Sequence, residues 1–89
     1  MTILHIELPF QNESSSPVKL LLEPLSEYVF VQPGWRVVVH GLCSAVTENR
    51  TFTLAPNDTF ITVYAPGEID GFIDCFVTQD GSRLAPDGN

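Results

Sequence analysis

Positive charge is scarce in this chain: Lys and Arg together number four against eleven Asp and Glu, for a formal net charge of −7 at pH 7. A surface of that sign repels phosphate backbones and anionic headgroups, so neither nucleic acid nor a membrane surface is expected as a partner. Cysteine is scarce too. Cys43 and Cys75 are the whole supply, where a disulfide-stapled module of this size carries more. The expectation is two free, mostly buried thiols in a reducing cytoplasm. No apolar run approaches the roughly 20 residues needed to span a bilayer. The opening Met1-Thr2-Ile3-Leu4-His5-Ile6-Glu7 lacks the basic region of a secretory signal. Asn12-Glu13-Ser14, Asn49-Arg50-Thr51 and Asn57-Asp58-Thr59 are therefore read as turn residues rather than glycosylation sites. A glycine-rich phosphate loop, a Cys-x-x-Cys pair, a basic stripe and a helical period are absent as well.

What the 89 residues do contain is apolar alternation, with 44% hydrophobic and 17% charged side chains. That balance favours a folded chain over a disordered one. Short runs rich in Val, Ile, Phe and Thr, separated by Pro, Gly, Asn and Ser, predict strands at 2–8, 18–23, 27–32, 35–40, 51–54, 59–64 and 72–78. The fold class expected is all-β: a small antiparallel β-sandwich or partly closed barrel of about seven strands, jelly-roll-like or immunoglobulin-like. Residues 1–79 make one domain and 80–89 a frayed tail. Pro33-Gly34 has type II turn chemistry and is expected to join two neighbouring antiparallel strands. Pro56-Asn57-Asp58 predicts a second hairpin. The polar stretch 11–17, with Ser14-Ser15-Ser16, reads as a flexible loop.

Alternation divides two faces. Every second position is apolar through Leu4, Ile6 and Leu8; Val18, Leu20 and Leu22; Val29 and Val31; Trp35, Val37 and Val39; Phe52 and Leu54; Ile61 and Val63; and Ile73, Cys75 and Val77. These predict the core. The opposite set includes Tyr28, Phe30, Arg36, His40, Phe60, Tyr64, Phe72, Asp74 and Phe76. Aromatics and Arg concentrate energy at interfaces, so these residues form the candidate binding surface.

Other chemistry is thinner. His5 and His40 are the only histidines, and a metal site requires them to converge with a carboxylate such as Asp74, Glu7 or Glu23. Without that convergence each is an ordinary hydrogen-bonded surface residue. Cys43, three residues past His40, matches no hydrolase spacing, and Cys75 alternates with core positions, so no catalytic nucleophile is assigned. Glu68, Asp70 and Asp74 gather near Pro66-Gly67, but a cross-sheet pair of Asp74 with Arg36 or Lys19 is the simpler role.

Two segments carry resemblances. Leu22-Glu23-Pro24-Leu25-Ser26-Glu27-Tyr28 followed by Pro33-Gly34 resembles a stretch in short, uncharacterised bacterial all-β proteins, which implies a β fold and carries over no function. Gly34-Trp35-Arg36-Val37-Val38-Val39-His40 is similar to the opening of the first cupin motif, a glycine followed six residues later by a metal-binding histidine. The cupin pattern then needs a second histidine and a glutamate, where this chain has Leu42, Cys43 and Ser44. The expectation is a non-enzymatic protein-interaction module, self-associating as a homodimer in one version, with no cofactor. The alternative is a small-ligand- or metal-binding cupin-like barrel using His5, His40 and the nearby carboxylates Asp74 and Glu7.

Overall fold

The computed structural model describes residues 2–67 and 70–89. Its strands are β1 (Ile3–Gln11), β2 (Val18–Glu23), β3 (Glu27–Val31), β4 (Arg36–Ser44), β5 (Thr53–Pro56), β6 (Ile61–Tyr64), β7 (Phe72–Gln79) and the short β8 (Ser82–Arg83). There is no helix among the described residues, hence none long and apolar enough to cross a membrane. Two four-stranded sheets form, in the orders β1-β4-β7-β8 and β3-β2-β6-β5. Their apolar faces meet in a sandwich. Leu20, Leu22, Val29, Val31 and Val63 of one sheet form a buried cluster with Val37, Val39, Cys75 and Val77 of the other. Each such side chain contributes about 1.5–3 kcal/mol by leaving water.

Alternation placed most of this core, and the exceptions have physical causes. In the β4–β7 ladder Leu42 faces Asp74 but Cys43 faces Phe72, so Ile73 is an extra, unpaired residue. A β-bulge of this kind reverses the faces beyond it. Phe72, expected outside, packs against the core, while Ile73, expected inside, is 39% exposed. Leu54 is also exposed, because β5 lies at a sheet edge with all four of its residues open. Ala65 and Cys43 are fully buried.

Pro33-Gly34 turns the chain as expected, with Gly34 at φ +83°. The strands it joins are not neighbours, however: β3 and β4 lie in different sheets. The turn carries the chain across the sandwich. The β5–β6 hairpin forms around Asn57, whose Oδ1 accepts from the backbone N–H groups of Thr59 and Phe60. One pairing is parallel, β2 with β6. The serine loop is organised around buried Asn12, which donates to the carbonyls of Ser16 and Val31 and accepts from the backbone and hydroxyl of Ser14.

The last ten residues, expected to fray, are tied down. Leu84 packs against the core. The chain then crosses to β3, where Tyr28 N–H donates to the Gly88 carbonyl, Asp87 N–H to the Tyr28 carbonyl, and Phe30 N–H to the Asp87 carboxylate.

Candidate metal site on the outer face of one sheet

β1 carries His5 and Glu7 two residues apart, which by strand alternation places both on one face. The intervening Ile6 and the flanking Leu4 and Leu8 turn inward as partly buried residues. β4 contributes His40 between core Val39 and buried Gly41. The β1–β4 register sets Glu7 directly opposite His40 and His5 opposite Leu42, making His5 the diagonal neighbour of His40. On the other side of β4, His40 faces Phe76.

The result is a convergent cluster. His5 Nε2 lies 2.7 Å from His40 Nδ1, and Glu7 Oε2 lies 3.5 Å from that same nitrogen. One donor atom from each of the three residues falls within 4.8 Å of the others. Behind the cluster, His40 Nε2 is 2.8 Å from Thr78 Oγ1. Its ring stacks on Phe76, with centroids 4.7 Å apart and planes 6° from parallel. Arg83 covers that phenyl ring at 4.5 Å. A histidine whose rear nitrogen donates to an oxygen presents a lone pair on the front one. With Thr78 accepting at Nε2, His40 Nδ1 is free to accept from His5 Nε2–H or to bind a cation.

The electrostatics agree with a neutral His40. Burial and then His5 lower its pKa from the ordinary 6.5, and Glu7 opposes them as the smaller influence. The Glu7 contact would favour the charged ring, but Glu7 is largely solvated, so burial prevails. The thiols offer no competing ligands: both are buried, and burial with contributions from Asp74 and Glu27 holds the Cys75 thiol up to about 12.

The expected binding surface does not form one patch. Arg36, His40, Asp74 and Phe76 belong to β4 and β7 of one sheet, whereas Tyr28, Phe30, Phe60 and Tyr64 lie with β2, β3 and β6 of the other. In that second group Lys19 Nζ sits 4.2 Å from the Tyr28 ring centroid and 5.5 Å from that of Phe60. Phe72 is turned inward by the bulge. Asp74 is outside the metal-competent cluster: its Oδ1 accepts from Cys75 N–H, and its Oδ2 is 3.9 Å from Arg83 rather than paired with Arg36 or Lys19. Asp70 accepts from the Thr47 hydroxyl. Glu68 lies outside the described residues. Thr78 is not marked by the sequence, because a threonine in a strand carries no signal of what lies across it.

Searches of family models, curated proteins and solved structures return no match.

Proposed function

We propose that this β-sandwich is a non-enzymatic binding module that takes one divalent transition-metal ion on His5, Glu7 and His40. The observation carrying the reading is the convergence of those donor atoms across two strands, with His40 oriented by Thr78. Two imidazoles and a carboxylate suit zinc, nickel or copper(II) better than calcium or magnesium, which favour oxygen ligands. A tetrahedral ion with bonds of about 2.0–2.1 Å holds its donors about 3.3 Å apart. The Glu7–His40 spacing of 3.5 Å matches that closely. His5 and His40 must open slightly from 2.7 Å, and the exposed His5 is the ring able to move. His5 must also carry its proton on Nδ1 when Nε2 binds the ion.

The setting supports binding rather than turnover. The cluster lies on an open sheet face, and a cleft of about 330 Å³ lies elsewhere, between the start of β2 and the β5–β6 turn. Two buried free thiols fit a reducing cytoplasm. Titration calorimetry of the metal-stripped protein with zinc, nickel and copper is the test. The expected result is one ion per chain for the native sequence and no measurable heat for His40→Ala. Equal binding by the His5→Ala/His40→Ala double variant would sink the proposal.

A further inference from the structure

We propose that the metal ion joins two copies of this chain edge to edge through β1; this rests on the metal-binding reading above. The site lies on an open sheet face rather than in a pocket, beside the sheet's edge. Two of its three donors, His5 and Glu7, are on the strand at the sheet's edge.

The hydrogen-bond parity of β1 shows what that edge offers. Just before the strand, the Thr2 carbonyl accepts from Ala45; just after it, Asn12 N–H donates to Trp35 and its carbonyl accepts from Gly34. The register between these points is unbroken. Even-numbered residues therefore bond to β4, and odd-numbered ones point their backbone groups away from the sheet. Among the described residues, Ile3, His5 and Glu7 present N–H and C=O groups without a partner, in succession. Pro9 ends that row, since it has no N–H to offer. The other sheet edges are protected in ways natural β proteins use against unwanted pairing. β3 is covered by the chain around Asp87 and Gly88, β5 is short and ends at Pro56, and β8 has two residues. Among the described strands, β1 is the long edge left open.

The occupant this edge fits is a second copy. An antiparallel twofold pairing centred on His5 uses every one of those donors, opposes Ile3 to Glu7 of the other chain, and keeps Pro9 out of the ladder. It also sets the two His5 residues opposite each other on the same outer face, with Cα atoms about 5.5 Å apart. The two metal sites then flank the seam, each His5 staying on the ion of its own copy, so that both cations sit beside the paired edges. Charge makes the step metal-dependent: each chain carries −7 and brings a Glu7 carboxylate to the seam. The copies repel until divalent cations neutralise it.

Light scattering coupled to gel filtration, run on the full chain with zinc chloride or with EDTA, tests this alongside calorimetry. Zinc should double the scattering mass and EDTA should restore the monomer. Ile3→Pro removes one outward donor without touching a ligand, and Ile3→Glu places like charges opposite each other across the seam. Both should still bind zinc while losing the doubling, and circular dichroism reports whether each is folded. Zinc binding by the native chain with no change in mass would overturn the inference and leave the metal site standing. Doubling that persists in the folded Ile3 variants, or that needs no metal, would overturn it as well. Absence of zinc binding would remove both readings.

Discussion

His40 makes the domain sensitive to pH through its proton. Its folded-state pKa lies below 6.5 because burial and His5 disfavour the imidazolium. The unfolded chain then binds more protons between the folded value and 6.5, so its stabilising contribution is present above 6.5 and is lost as pH falls through the folded pKa. An imidazole NMR titration should place His40 below 6.5, and the urea midpoint should drop between about pH 7 and 5 more steeply for the native chain than for His40→Gln. Thr78 acts through His40 rather than on the ion. Thr78→Val leaves the ring without its rear partner and should weaken zinc binding about 10–100-fold, with circular dichroism unchanged. At this scale half the site was legible. His5 and Glu7 at alternate positions of an apolar-patterned strand had to share a face. The choice of Glu7 over Asp74 as the carboxylate was not readable, because it depends on which strand lies beside β4 at which register.

Strands show the same division between local pattern and pairing. Alternation identified β2, β3, β6 and the inward positions of β4, since period two is a property of the chain itself. The bulge at Ile73 is not in the pattern: Phe72 and Ile73 are both apolar and fit either face, and only pairing with β4 shows which residue is left over. The passage of β1 through Pro9 is another case, tolerated because the missing N–H is on the open edge. β4 likewise runs on through Gly41, where a glycine would ordinarily weaken a strand. The reason is close approach. A Cβ there would lie 2.7 Å from the Pro66 ring and 3.0 Å from Phe52. Gly41→Ala should therefore cost about 1–3 kcal/mol in urea unfolding. Because Gly41 adjoins His40, the same variant should also weaken zinc binding.

For the whole molecule, the C-terminal segment closes the sandwich. It leaves one sheet at β8, packs half-buried Leu84 against the core and covers the β3 edge of the other sheet. Deleting residues 84–89 should cost about 1.5–3 kcal/mol, the scale of returning one leucine side chain to water, and should speed amide exchange at Tyr28 and Phe30. Composition made this segment look frayed, because Asp, Gly and Pro favour turns wherever they occur. Its order comes from carbonyls and a carboxylate that meet β3 donors far away in sequence.

The sequence by itself determined an acidic all-β domain with a predictable inner face, because charge and two-residue periodicity are carried residue by residue. Only the tertiary structure decided that β1 lies against β4, that β2 and β6 run parallel, and that the aromatic surface is divided between opposite sheets. Strand pairing is a long-range choice among segments of similar local pattern. The convergence of His5, Glu7 and His40 follows from that choice.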